Sequence, residues 1–127
     1  MNNNTLLLIG RILLGLLFVA AGAGKLGGME GVAGYIASKG LPMPSILAWV
    51  STIFEIVAGI CIIIGFKTKL MSYLLAAFCV LAAAIFHFDP SNQSEMTSFL
   101  KNLAIAGGFL ALSVSGPGSM SVDAKRS

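Results

Sequence analysis

The stretch SILAWVSTIFEIVAGICIIIGF, residues 45–66, decides the fold. It is long and apolar enough to cross a bilayer core of ~30 Å, which takes roughly 17 to 25 helical residues. It contains a single charge, Glu55. A carboxylate at that depth costs ~2.5 to 3.5 kcal/mol on insertion scales. Glu55 is therefore expected to face protein or trapped water, and it points to a functional interior.

The rest of the chain has the same character. Its 127 residues are 57% hydrophobic and 10% charged, with a mean hydropathy of +0.92. So few charges could not cover such a core in water, so the chain reads as an all-α integral membrane protein, one domain over residues 1–127. Three further apolar runs occupy residues 6–26, 70–88 and 99–115. Gly116-Pro117-Gly118 ends the last by withdrawing a donor and offering a positive φ. A bundle of four membrane helices is expected. Ala21-Gly22-Ala23 imitates a signal-peptide cleavage site, but residues 2–5 carry no basic side chain and Arg11 sits inside the run, so the first helix is expected to stay.

An even number of helices puts both chain ends on one side. That side holds Lys67, Lys69, Lys125 and Arg126, with Arg11 near the start of the first helix. The other holds Lys25, Lys39 and Lys101 beside Glu30, Asp89 and Glu95. The bias in lysine and arginine places the termini in the cytoplasm of a multi-pass inner (cell) membrane protein whose first partner is the lipid bilayer. The net charge of +3 follows from this flanking pattern. No basic cluster with interleaved aromatics is present, so nucleic acid is not expected as a partner.

Between the first two runs, Met29, Val32, Ala33 and Ile36 keep helical spacing until Gly40, Pro42 and Pro44 stop the segment. A short helix over residues 29–39, lying at the outer interface, fits. It is either a lid over the bundle or a plain connector.

The first helix carries a stripe, Arg11, Gly15, Phe18, Gly22 and Lys25, spaced 4, 3, 4, 3. Small residues on such a stripe let a neighbouring helix approach closely, so it should face the interior. Packing alone explains the glycines, and snorkelling to an interface is the plain account of the two cations. At ~1.5 Å per residue, Glu55 lies ~15 Å below the outer start of its helix and Arg11 ~22 Å below the outer end of its own. A long guanidinium can span that offset. Two readings follow for Glu55, a structural ion pair with Arg11 and a catalytic or proton-relay carboxylate.

Other polar groups gather at the outer end. His87 in Phe86-His87-Phe88-Asp89-Pro90, Lys101 with Asn102, and Lys25 are all expected in one layer. His87 suits proton transfer near neutral pH or a hydrogen bond to a ligand carbonyl, and an ordinary hydrogen-bonded interface histidine is the simpler account. A haem held by two imidazoles needs two histidines and an iron–sulfur cluster a cysteine group, whereas this chain has one His and two Cys. Cys61 and Cys79 should differ in depth by ~9 Å, too far for a disulfide. No intrinsic cofactor or metal is expected, and no phosphate-binding glycine motif occurs.

In order, Arg11, Gly24-Lys25, Gly34-Tyr35, Gly40-Leu41-Pro42, Glu55, Gly65-Phe66-Lys67-Thr68, Phe86-His87, Phe99-Leu100-Lys101-Asn102-Leu103, Gly107-Gly108-Phe109 and Gly116-Pro117-Gly118 with Ser121 and Asp123 resemble the DoxX family of small bacterial inner-membrane proteins. The resemblance covers nearly the whole chain. Met120 departs from it, standing where such proteins often have an aromatic residue. The resemblance implies a four-helix membrane bundle and an oxidoreductase label, through relatives linked to sulfur-compound oxidation with quinone and to oxidant-defence complexes. In that family chemistry is attributed to complexes and partner subunits, so membership alone does not make this polypeptide a catalyst.

The leading expectation is a membrane oxidoreductase subunit that binds a quinone-like headgroup at the outer end. Lys25, His87, Lys101 and Asn102 would donate hydrogen bonds and Glu55 would accept protons. The competing expectation is a non-catalytic assembly or stress-related scaffold whose buried charges fix helix register. A solute or proton carrier would need more than four short helices, hence a homo-oligomer. Redox partner subunits go with the first expectation.

Overall fold

The computed structural model describes residues 2–126; Met1 and Ser127, the outermost positions of the expected domain, lie outside them. All regular structure among the described residues is helical. The order is α1 (Asn3–Lys25), a 3-10 turn (Leu26–Gly28), α2 (Met29–Ser38), α3 (Pro44–Ile64), α4 (Thr68–Ala82), a π turn (Ala83–His87), α5 (Gln93–Ser115) and α6 (Val122–Arg126). Four helical stretches are long and apolar enough to cross a membrane: Asn3–Ser38, Pro44–Ile64, Thr68–His87 and Gln93–Ser115.

Local chemistry sets the ends. The Asn2 side chain accepts from the Thr5 amide at 2.8 Å and starts α1. Asn92 does the same for α5, accepting from Glu95 N at 3.1 Å, so that helix begins at Gln93, ahead of the expected residue 99. Gly65 ends α3 with φ 73°, and Phe66 N returns to Cys61 O at 2.8 Å. Gly28, at φ −150° and ψ 46°, interrupts the helical path between α1 and α2. The short helix expected over residues 29–39 is thus present as α2, stopped at Gly40 with φ 79°.

Helix α1 packs along α3, α4 along α5, and α2 lies against α3. Phe18, Ile62, Leu75, Cys79 and Phe109 form the shared core, with the Phe18 and Phe109 rings 5.6 Å apart. Leu13, Val50, Ile53, Leu81 and Val114 point outward. In water such a surface would aggregate, and in a bilayer it is the solvated face.

Candidate functional site

Arg11, Gly15, Phe18 and Gly22 of the stripe are buried; Arg11 and the two glycines meet α3, and the Phe18 ring meets Phe78 and Phe109. The glycines set how closely and in what register the two helices meet. A Cβ on Gly15 would come within 2.6 Å of the Gly59 carbonyl oxygen, and one on Gly22 within 3.1 Å of that of Thr52. With Gly15 opposite Gly59 and Gly22 opposite Thr52, position 63 faces Arg11 and position 49 faces Lys25.

That register corrects one expectation. Glu55 does not pair with Arg11; Lys25 Nζ lies 2.5 Å from Glu55 Oε1. Glu55 stands ~9 Å from the level of Lys25 and ~12 Å from that of Arg11. Direction settles the rest, because side chains lean toward the N-terminus of their own helix. In the antiparallel pair Lys25 and Glu55 lean toward one another, while Arg11 leans away. Depth counted on each helix separately could not reveal this.

Arg11 is fully buried at the other end. One of its nitrogens donates to Ile63 O at 2.8 Å and more weakly to Ile62 O at 3.4 Å, and the second donates to Met120 O. The guanidinium thus closes the C-terminus of α3, where a cation complements the exposed carbonyls and the helix dipole. Met120 takes part through its backbone, so a departure in side chain leaves this contact intact.

Around the Lys25–Glu55 pair lies a cavity of about 910 Å³, bounded by α1, α2, α3, α4 with its π turn, and Asn102 of α5. Its walls are mostly apolar, with Leu17, Phe18, Val32, Leu47, Phe78 and Ile85 among them. Glu55, only 2% exposed, forms part of the wall together with Lys25, Ser51, His87 and Asn102. An apolar chamber with a few convergent polar groups is the usual form of a small-molecule site.

Lys101 does not share this layer as expected. It is exposed and stands outside the lining. On α5 the chamber meets Asn102, and Lys101, roughly 100° round the helix from it, is turned outward.

Three residues were not anticipated here: Tyr35 and Phe86 line the cavity, and Glu95 reaches it through His87. Glu95 Oε2 lies 3.3 Å from His87 Nδ1. Its signal was the spacing Asn92-x-x-Glu95, which marks the first turn of a helix and brings the carboxylate back toward the preceding loop. Tyr35 stacks on Phe86 with ring centroids 5.3 Å apart, and its hydroxyl donates to the Phe86 carbonyl at 3.2 Å. Phe86 lies in the π turn, whose wider winding breaks the regular hydrogen-bond ladder of an α-helix. These contacts tie α2 to the end of the third span across the cavity.

Cys61 and Cys79 are free thiols. Among the described residues no group of three or more His, Cys, Asp and Glu side chains is placed to hold a metal ion.

Known proteins extend the picture. The chain is 38% identical to the inner membrane protein YphA of Escherichia coli (strain K12) over 123 residues, covering 93% of this chain and 88% of that one. It is 36% identical to the inner membrane protein YqjF of the same strain over 119 residues, 91% of this chain and 88% of the relative. A shorter match, 36% over 72 residues, covers 57% of this chain and 51% of "Putative oxidoreductase CatD" of Bacillus subtilis (strain 168). No solved structure matches. A profile of the DoxX family matches residues 6–88, which takes in the α1–α3 glycine contact, the Lys25–Glu55 pair and His87, and the chain therefore belongs to the DoxX family.

Proposed function

We propose that this protein is an inner-membrane subunit of an oxidoreductase, binding the headgroup of a quinone-like, lipid-soluble molecule in the cavity beside Glu55. The observation that carries this reading is the union of a buried carboxylate, paired with a partly exposed lysine, and a chamber of about 910 Å³ whose walls are otherwise mostly apolar. A quinone, when bound, would supply the capacity to take up two electrons and two protons.

The residues fit such a ligand. Lys25 engages Oε1 of Glu55, and its half-exposed side chain has further protons to offer a carbonyl oxygen. Asn102 contributes a neutral amide, and His87, held beside Glu95, sits where a proton could pass to the loop region. The leucines and phenylalanines of the wall would hold an isoprenoid tail and keep water away, which strengthens polar contacts inside. Redox partner subunits would bring or take the electrons. The name of the Bacillus subtilis relative adds modest support for redox chemistry.

A second reading has its own support. Lys25 and Glu55 satisfy one another, as in a scaffold whose charges fix helix register. One measurement separates the two. A short-chain quinone is titrated into the purified protein while thermal stability is followed, since a ligand that binds only the folded state raises it. Saturable binding with a rise in melting temperature is expected. No saturable binding would remove the quinone reading and leave the scaffold.

A further inference from the structure

At the opposite end from the cavity, the last described segment folds back over the start of α4. The Asp123 carboxylate accepts from the amides of Lys67 at 2.7 Å and Thr68 at 2.8 Å, and Asp123 N donates to Gly65 O at 2.9 Å. This places α6 on the first turn of α4. Lys67 and Lys69 from one element and Lys125 and Arg126 from the other then share one surface, and all four are exposed. Two of them share a single ring: Lys67 Nζ lies 5.8 Å and the Arg126 guanidinium 5.3 Å from the centroid of Phe66.

This concentration of positive charge has little internal compensation. Among the described residues Asp123 is the one side-chain carboxylate there, and it is committed to the α4 amides. The next amides of that turn, those of Lys69 and Leu70, have no intrahelical acceptor. Leu70 and Tyr73 are each about half exposed on the membrane-spanning helix just below. Cations at the edge of a span, open amides, and an apolar strip beneath them match the three parts of a phospholipid with a net negative headgroup.

We propose that this surface binds an anionic phospholipid, its phosphate held by Lys67, Arg126 and the first turn of α4, and an acyl chain lying along Leu70 and Tyr73. The site is independent of the cavity and of what the cavity binds. Juxtamembrane lysines and arginines attract anionic lipid in general, and this arrangement adds a fixed position.

The test uses the full chain in mild detergent, with retained lipid counted by native mass spectrometry after exposure to phosphatidylglycerol or phosphatidylcholine. The wild type should retain phosphatidylglycerol selectively. The pair Lys67→Gln and Arg126→Gln should lower its affinity roughly ten-fold or more, while Lys39→Gln with Lys101→Gln, the same charge change at the other end, should leave it unchanged. If the first pair fails to fold, Lys69→Gln with Lys125→Gln, which touch neither the ring nor the cap, should still cost several-fold. No preference in the wild type would overturn the proposal, as would equal loss from the control pair. Full displacement of the lipid by millimolar inorganic phosphate would overturn it in favour of a free anion site.

Discussion

Gly15 and Gly59 face each other so closely that a Cβ on the first would lie 2.6 Å from the carbonyl oxygen of the second, and one on the second 2.9 Å from that of the first. The contact fixes α1 against α3, and that register brings Lys25 to Glu55 at one end and Arg11 to Ile63 at the other. Both obstacles are backbone, so neither can swing aside. Gly15→Ala and Gly59→Ala should each destabilise the protein by about 1–3 kcal/mol, the usual cost of overpacking. Gly107→Ala, where an added Cβ meets nothing within 4 Å, should not. Thermal melts in detergent check this, and equal melting temperatures for the three variants would contradict the register argument.

The Lys25–Glu55 pair should show coupling in a double-mutant cycle. Lys25→Met leaves a carboxylate that is 2% exposed without its partner, and should cost about 1–3 kcal/mol, as for a hydrogen bond to a charged group. The Lys25 side chain is 38% exposed, so solvent screening keeps the cost below that of a fully buried pair. Lys25→Met with Glu55→Leu should recover part of the loss. Strict additivity would mean the two groups do not interact in the membrane protein.

Asp123 should give the fold a dependence on acid pH. Burial disfavours its ionised form, but the Thr68 and Lys67 amides and nearby Arg126 outweigh this and hold its pKa below the ordinary value. A depressed carboxylate stabilises the folded state fully above its unfolded pKa, and that contribution is lost as pH falls through the lower folded value. The loss should therefore appear below about pH 4. Asp123→Asn should remove that part of the pH dependence, and because its amide presents one oxygen where the carboxylate presents two, it should cost about 0.5–1.5 kcal/mol at neutral pH, the usual net worth of one hydrogen bond. Unfolding midpoints between pH 3 and 7 for both proteins measure it. Identical acid profiles would show that the cap contributes nothing.

Much of this fold can be read from composition and spacing, and the reasons are physical. A bilayer imposes a length on each span and leaves few charges to misplace, so the runs around Glu55 and the stripe from Arg11 to Lys25 were legible directly. What the sequence could not supply was the relative height of two helices. That height is set where Gly15 meets Gly59, and it exchanged Arg11 for Lys25 as the partner of Glu55. Lys101 falls outside the lining for a related reason: the polar pair Lys101-Asn102, well inside α5, does not itself say which member faces the chamber. Tyr35 was hidden because its partner is a backbone carbonyl, that of Phe86 in the last turn of the third span, where Pro90 offers no N–H to take it; spacing alone does not say which neighbour such a carbonyl meets.

Orientation is a separate prediction. Four exposed cations gather at the α6 end, Lys67, Lys69, Lys125 and Arg126, and the lysine and arginine bias predicts that this end is cytoplasmic. A reporter fused after Ser127, itself outside the described residues, should read as cytoplasmic, and one inserted between Ser91 and Ser94 as external. The reverse pattern would turn the cavity toward the cytoplasm and change its accessible partners.

The cavity itself makes the sharpest prediction, because the structure separates residues that sequence grouped together. His87 and Asn102 line the chamber and Lys101 does not. If a quinone-like headgroup binds there, His87→Gln and Asn102→Leu should each weaken short-chain quinone binding, by roughly five-fold to ten-fold for one lost hydrogen bond. Lys101→Met should leave affinity within about two-fold of the wild type, since an exposed cation outside the wall contributes only a screened, distant field. Tyr35→Phe adds a further reading: it keeps the stacked ring but loses the bond to the Phe86 carbonyl. It should therefore speed ligand exchange more than it changes the folded state. Binding isotherms and dissociation rates on the four variants, with melting temperatures recorded in parallel, distinguish a ligand site from a scaffold. Should His87→Gln and Asn102→Leu lower the melting temperature while no variant, nor the wild type, binds quinone, the polar groups of the chamber serve helix packing alone.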